Sequence, residues 1–520
     1  MIQTSEAYQN LVKSNVRPKC EPIIRIYNDD NTVAYEWRGK NIKNLKFVRS
    51  IDPISRELPY MELTWTEIYK GKLNQNGFVD KYTNASALME VELSFEQTLG
   101  FFNTWQDIAN KCGTWEDVKN SGKTWEQLFR DLSVETIKMP KMYLEARPTI
   151  KNSTITWVAK DILYFLNQQQ TKEFYSYINP NSGQDFLLYN NILKWVLADA
   201  RGNYINSKKF FYALQNSIDS IAENTNTYKS HVYEPLYLNN SVKNNLLNLM
   251  NLKLNFLNFE NEHLTVNSVF AINNNKVSFQ IKGLGDTSKE PYTYNRKIIY
   301  GYPELTQISN ISKYEFNTYR REVGSLSSED AEYGNYMVTS ANRSVRIADI
   351  GNGITTNNAN AQINTWLYKD VGNGAVKITS AEWQISDTNM LVSNHHSNDV
   401  VFVYPMEYPQ STEIVTNNVA SGEEYKEDNP INGCSVYKNK FFVDLKNEAL
   451  NLYFNNSLST LEFNSLPNLS LEPGDCCFVE TNLFDDNGER IAKKCLIVKT
   501  EISYNGALKV KNYAHEIGGI

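Results

Sequence analysis

Histidine is scarce in this 520-residue chain, with five copies, and cysteine is nearly as rare, with six. So few histidines leave little material for metal centres or proton relays. The cysteines (Cys20, Cys112, Cys434, Cys476, Cys477 and Cys495) contain no C-x-x-C pair and are too sparse for a disulfide scaffold. They are expected to be reduced, with Cys476 and Cys477 as ordinary strand residues. Long apolar runs are also missing. No stretch reaches the roughly 18 uninterrupted apolar residues of a membrane span, and Met1 to Ser14 holds no apolar core of signal-peptide length. A protein made and folded in a cytoplasm is the expectation. Neither sign of charge dominates: 52 basic and 59 acidic residues give a net charge of −7. That balance argues against tight, sequence-independent nucleic-acid binding, which needs a concentrated basic surface.

Familiar catalytic signatures are absent as well. No G-x-S-x-G, phosphate-binding loop or Cys/His nucleophile context occurs. His395 and His396 lie near Asp399, but adjacent strand residues point to opposite faces and no H-E-x-x-H helix is present, so a solvated loop is expected. The run from Asp485 to Glu489 has a calcium-like composition, yet Gly488 comes too early for an EF-hand loop and a hairpin turn accounts for it. Gly351-Asn352-Gly353 neither ends a βαβ strand nor opens a helix. Paired carboxylates for glycoside cleavage stay open, because 59 acidic residues always offer pairs and their separation is a structural quantity. No catalytic residue, cofactor or metal ligand is assigned.

What is present is aromatic and strand-like. Aromatics make up 12% of the chain, with 32 Tyr and 23 Phe, which favours β-rich layers, and the length calls for two to four domains. The clearest punctuation lies between Pro467 and Ala514. Leu469 and Leu471 alternate with polar residues up to a Pro473-Gly474-Asp475 turn, and a strand through Cys477 and Val479 runs to a second turn at Asp486-Asn487-Gly488. Two more strands, Leu496 to Tyr504 and Ala507 to Tyr513, flank Asn505-Gly506, a pair expected to supply both positive-φ residues of a type I′ hairpin.

Near the start, Ile23 to Tyr27 and Val33 to Trp37 read as a hairpin. Lys46 to Ile68 reads as strand, Pro-interrupted corner, strand, with Met61, Leu63 and Trp65 on one face and Ser55, Arg56 and Glu57 capping the corner. Met89, Val91, Leu93 and Phe95 alternate as a further strand. Three T-W repeats follow at a ten-residue spacing, beginning at Thr104, Thr114 and Thr124, with Asp107, Asp117 or Gln127 three residues after each Thr. That spacing resembles a capping box and predicts three short helical turns offering Trp105, Trp115 and Trp125. The ordinary reading has these tryptophans anchoring an excursion onto its own barrel. The functional one has them docking on a neighbouring subunit. Ser153 to Asn167 is a strand through Ile155, Trp157 and Ala159 that passes into a helix near Asp161. Helical periodicity then takes over, with Phe186, Tyr189, Leu193 and Val196 on one face, Phe210, Leu214, Ile218 and Ile221 on another, and a third helix over Val242 to Met250. A strand pair follows, Lys253 to Phe259 and His263 to Phe270. Beyond it come an alternating strand through Tyr314, Phe316 and Thr318, a β-rich section from Val338 to Tyr408, and a helix over about Tyr437 to Phe454.

Taken in order, these pieces resemble the hub proteins of phage tails and contractile injection particles, ring-forming proteins that join a tail tube to its tip. The resemblance rests on S-x-D-P-I-S-R-E-L-P-x-x-E-L-T-W (Ser55, Glu57, Leu58, Pro59), A-K-D-I-L-Y-F-L at Asp161, Y-P-E at Pro303 and Glu304, and D-N-P-I at Asn429 and Pro430. P-x-L-x-L-x-x-G-D at Gly474 and Asp475, and Y-N-G-A-L at Asn505 and Gly506, complete it. It implies a mainly β chain with an α+β side domain. A first tail-tube-like barrel would cover 1–165 with the Trp-repeat excursion at about 100–130, a helical or mixed side domain 166–290, and a second barrel 291–520 with a β-rich insertion at about 338–410. It also implies a non-enzymatic homotrimer in the tail or baseplate of the virion, whose six barrels adapt a sixfold tube to a threefold tip. The tail tube or a distal tail protein would lie above, a tip, spike or tape-measure protein below or inside, and DNA would only pass through. Some relatives carry a peptidoglycan-cleaving domain after the hub, and this chain is expected to lack room for one. Two other readings are kept: a receptor- or carbohydrate-binding tail protein stacking sugars on the Thr104 to Leu128 or Val338 to Tyr408 aromatics, and a cell-wall hydrolase.

Overall fold

The computed structural model describes residues 2, 4–13, 19–68, 88–99, 114–120, 122, 124, 134–145, 148–151, 153–170, 187–204, 208–223, 231–232, 241–260, 263–273, 276–279, 292–307, 311–320, 336–338, 366–370, 375–377, 383–386, 389–392, 401–404, 408–417, 422–427, 431–433, 439–456 and 459–517. The chain is mainly β; among the described residues three of the four longest helices lie in its middle and the others are spaced along it. Helix α1 (Glu6–Lys13) leads to the hairpin of β1 (Cys20–Tyr27) and β2 (Val33–Arg38), turning with Asn31 at positive φ. Strands β3 (Ile42–Ser50) and β4 (Glu62–Ile68) flank the Pro-interrupted corner. They are followed by β5 (Glu90–Thr98), the short helix α2 (Trp115–Asn120), β6 (Val134–Lys138), β7 (Met142–Leu144), β8 (Thr149–Lys151), β9 (Thr154–Lys160) and helix α3 (Ile162–Asn167).

The middle holds α4 (Tyr189–Gly202), α5 (Lys208–Glu223) and α6 (Val242–Lys253), then two hairpins, β10 (Asn255–Glu260) with β11 (His263–Ser268) and β12 (Phe270–Asn273) with β13 (Lys276–Phe279). Ser241 caps α6 with its hydroxyl, the N-cap role for which Ser is favoured. The last part comprises β14 (Tyr292–Tyr294), β15 (Ile299–Gln307), β16 (Ile311–Arg320), β17 (Tyr408–Thr416), β18 (Glu423–Lys426), α7 (Asn439–Asn456), β19 (Ser459–Ser465), β20 (Cys476–Phe484), β21 (Arg490–Tyr504) and β22 (Leu508–Glu516). Between β16 and β17, short strands at Tyr336–Val338, Trp366–Asp370, Ala375–Lys377 and Val401–Tyr404 form a sheet of their own.

One 15-stranded sheet runs through both ends of the chain, in the order β15-β19-β22-β21-β3-β4-β9-β7-β5-β1-β2, with β6, β8, β14 and β20 attached. Five strand steps separate β4 from β2, about 24 Å if the sheet were flat. Yet Trp37 of β2 lies 5.4 Å from Trp65 of β4 and 5.6 Å from Trp157 of β9, ring centre to ring centre. The sheet therefore curls round an enclosed aromatic core. Strand β21 is common to both halves. One of its edges pairs with β22, while the other pairs first with β20 and then, from Lys499 to Tyr504, with Ser50 to Leu45 of β3.

Among the described residues, the buried apolar side chains form a larger and a smaller cluster. The larger spans the curled strands, helices α3 to α6 and the closing strands; the smaller lies among the β12–β13 hairpin, β16 and α7. Strands β20 and β21 form the wall between them. Cys477, Val479, Cys495 and Ile497 face the larger cluster, and Cys476, Leu496 and Val498 the smaller. Alternation along a strand distributes its side chains to two cores when both faces are covered.

Candidate functional site

The corner between β3 and β4 straddles this wall. Ile51 and Ile54 belong to the smaller cluster, Leu58 and Met61 to the larger. Its backbone is held by Asp52, whose carboxylate accepts from the N–H groups of Ile54 (3.3 Å), Arg56 (2.7 Å) and Glu57 (3.0 Å) and from the Arg56 guanidinium at 3.1 Å. This corrects the sequence expectation: the Asp52 carboxylate caps the corner and holds Arg56 and Glu57, while Ser55 N donates to the Asp52 backbone carbonyl. Asp before Pro, as in Asp52-Pro53, is a turn-initiating signal, and an Asp side chain in such a turn bonds the backbone two residues on. Ser55 takes φ of 59°, a left-handed conformation costly for a residue with a Cβ, and its hydroxyl donates to Asn255 O across the wall.

Asp161 joins the corner to the strand-to-helix exit. Its carboxylate accepts from Met61 N at 3.0 Å and, as N-cap of α3, from Tyr164 N at 3.2 Å, while its own N–H donates to Met61 O. Burial drives its pKa up to about 7, against the lowering effect of these hydrogen bonds. Asn167 then donates to Leu58 O at 3.1 Å. The Pro473-Gly474-Asp475 turn closes on the same place. Gly474 has φ of 98°, and a Cβ there would come within 3.1 Å of Phe256 and 3.7 Å of Ile51. Thus Asp161 and Gly474, from distant parts of the chain, both reach the corner that carries Ser55 and Leu58, the first at Met61 and the second beside Ile51.

Before that turn, the expected strand through Leu469 and Leu471 is instead an irregular segment, buried throughout. Buried loops require partners for their backbone, and here they come from afar. Tyr8 Oη accepts from Leu469 N at 2.8 Å, and Arg49 donates to Leu471 O at 3.0 Å and pairs with Glu472 at 2.7 Å. Burial acts to raise the Glu472 pKa, but the Arg49 charge holds it below the usual range. Sequence reasoning missed this pair because its members are 423 positions apart. It also missed Glu67, which accepts from the indoles of Trp37 (2.7 Å) and Trp157 (2.9 Å), and the buried pair of Lys446 with Glu427.

A polar cleft of about 860 Å³ opens beside the corner, lined in part by Asp52, Arg56, Glu57, Glu423, Lys499 and His515. Most of its charges already have protein partners. Asp52 binds Arg56, Lys499 binds Glu501 at 2.6 Å, and the His515 ring lies 2.5 Å from Tyr453 Oη. Burial and the Arg56 charge push His515 down to about 4, so it is neutral at pH 7. Among the described residues no group of three His, Cys, Asp or Glu side chains is placed to hold a metal.

The other singled-out residues lie away from this corner. Pro303 is buried in β15, and Glu304 sits exposed across a bulge, opposite Glu462. Asn505 and Gly506 are at the far end of β21. Three residues separate the paired Tyr504 and Leu508 and only Gly506 has positive φ, so this hairpin is not the expected two-residue type I′ turn. At Thr114 the capping box forms: Thr114 N donates to the Asp117 carboxylate at 3.0 Å, and Asp117 N donates back to Thr114 Oγ1 at 3.2 Å. Trp115 is 55% exposed. Trp105, Trp125, Asn429, Pro430, His395 and His396 lie outside the described residues. Large exposed apolar side chains also gather at two places near one end of the sheet, Tyr300, Tyr302 and Leu305 on the end strand β15 and Leu483, Phe484 and Ile491 at the β20–β21 tip.

No family model and no curated protein matches the chain. Among solved structures it is similar to a tail protein from Neisseria meningitidis, with a TM-score of 0.40 and 7% identity over 95% of this chain and 96% of that one. It is similar also to a 43 kDa tail protein of prophage MuSo2 from Shewanella oneidensis, with a TM-score of 0.36 and 8% identity over 95% and 98%. A prophage tail protein from Listeria monocytogenes has a TM-score of 0.35 and 8% identity over 95% and 94%. Among the described residues no helix is long and apolar enough to cross a membrane.

Proposed function

We propose that this chain is a structural hub at the distal end of a phage tail or tail-like particle. In this reading three copies form a ring, each supplying two tail-tube-like units, that adapts a sixfold tube to a threefold tip. The work is force-bearing adhesion and symmetry matching, so the functional surface is extensive and non-catalytic. The observation that carries the reading is the joint at the β3–β4 corner. Motif residues from both ends of the chain converge where β3 pairs with β21, and buried charges and two cores lock them together. A part that transmits load between a tube and a tip needs such a connection. The exposed aromatic and aliphatic side chains on β15 and at the β20–β21 tip are where neighbouring tail subunits would dock.

Light scattering followed by electron microscopy tests this. A species of three times 59.8 kDa, or a threefold ring seated on a sixfold tube, is the expected outcome. A monomer in solution and at the periphery of particles would overturn it. One observation favours a second reading, receptor or carbohydrate binding: Trp115 is presented half-exposed on a capped helix. Glycan-array binding that vanishes in a folded Trp115→Ala variant would select that reading.

A further inference from the structure

Strands β20 and β21 set Cys477 directly opposite Cys495. Ile497 N donates to Asp475 O at 2.9 Å while Ile497 O accepts from Gly474 N at 2.8 Å, a bulge that puts Asp475 and Ile497 in phase with the hydrogen-bonded positions of the ladder. Counting inward, Cys476 faces Leu496 at the next position, and Cys477 faces Cys495 at the following hydrogen-bonded one, where antiparallel Cα atoms lie about 5.5 Å apart. Disulfides span Cα separations centred on about 5.5 to 6 Å, but their Cβ atoms sit about 3.8 Å apart, closer than the roughly 5.5 Å of a hydrogen-bonded cross-strand pair, so closure draws the two strands together locally. Both residues carry free thiols, both are fully buried, and both belong to the larger cluster. Cys476 belongs to the other cluster, on the opposite face of the same strand, so it does not compete for either sulfur.

We propose that Cys477 and Cys495 are a latent cross-strand disulfide, reduced when the chain folds and closed by a small disulfide oxidant to staple β20 to β21. Each thiol gives up its hydrogen, a bond forms between the two Sγ atoms, and two electrons and two protons reduce glutathione disulfide to two thiols. The bond would brace the strand that joins both halves of the molecule. Closure during exposure of a released particle to an oxidising medium rests on the tail reading; the bond itself does not. Because burial raises the pKa of both thiols, reactive thiolate is scarce and closure proceeds slowly, through transient opening of the hairpin.

The test incubates the full chain with glutathione disulfide, then digests it without reductant for mass spectrometry. A peptide pair linked through Cys477 and Cys495, lighter by two hydrogens and separated by dithiothreitol, is expected. It should persist in Cys476→Ser, be lost in Cys495→Ser, and accompany a higher urea midpoint. No linked peptide, even at a urea concentration just below the unfolding transition where the hairpin opens, would overturn the proposal. So would Cys477 linked to Cys476 in the parent protein. The readout is independent of oligomeric state, so it separates failure of this bond from failure of the hub reading.

Discussion

Asp161 uses one carboxylate for two tasks, capping α3 and holding the end of the β3–β4 corner. The sequence placed a helix start there, but the bond to Met61, across 100 positions, is a product of folding. Its folded pKa of about 7 lies above the unfolded value near 3.9, so between those values the folded state binds the extra proton. This group therefore adds most stability at the acid end, and that contribution falls as pH rises from about 4 to about 7. Asp161→Asn keeps one acceptor and does not titrate; at pH 5 it should cost about 1 kcal/mol, and Asp161→Ala about 2 to 4 kcal/mol, since two N–H groups are then left unpaired. Urea midpoints between pH 4.5 and 7 check both points. An unchanged pH slope in Asp161→Asn would show that Asp161 does not carry the titration.

At the scale of elements, the turns were legible because Gly, Asn, Asp and Pro announce them, while turn geometry was not. Gly474 and Gly506 both sit at positive φ, yet their surroundings differ. A Cβ at Gly506 meets nothing within 4 Å, whereas one at Gly474 meets Phe256 at 3.1 Å. Gly506→Ala should therefore lose only the backbone strain, about 1 kcal/mol, and Gly474→Ala that strain plus a clash, about 2 to 4 kcal/mol in all. Thermal unfolding of the two variants should rank them in that order, and equal losses would mean the Phe256 side yields freely. The segment through Leu469 and Leu471 shows the limit of periodicity. Its apolar alternation is real, but Tyr8 and Arg49 satisfy its backbone without a strand ladder, so it stays irregular.

Across the whole molecule, buried charge connects parts that the linear pattern keeps separate. Lys446 of α7 pairs with Glu427, donates to Asn251 O of α6 at 2.8 Å, and lies over the rings of Tyr314 and Phe316 of β16. Lys446→Met leaves Glu427 buried with only the Tyr314 hydroxyl and no positive charge beside it, and should cost about 3 to 5 kcal/mol, while Lys446→Met with Glu427→Leu should recover most of that loss. A double-mutant cycle in urea measures it. A single variant as stable as the parent would show that water reaches Glu427.

The local units follow from near-neighbour chemistry along the chain. Alternating apolar residues specified most strands, apolar stripes the middle helices, and Thr114 with Asp117 a capped turn, because each depends on neighbours a few positions away. Folding alone brought β3 and β21 to a shared edge, set β20 and β21 between the larger and smaller cores, and gathered Asp52, Asp161, Gly474 and the Arg49 pair around the corner between β3 and β4. Such contacts arise when distant strands find a common register and the polar groups they bury must be paired. No periodicity in the chain encodes that pairing.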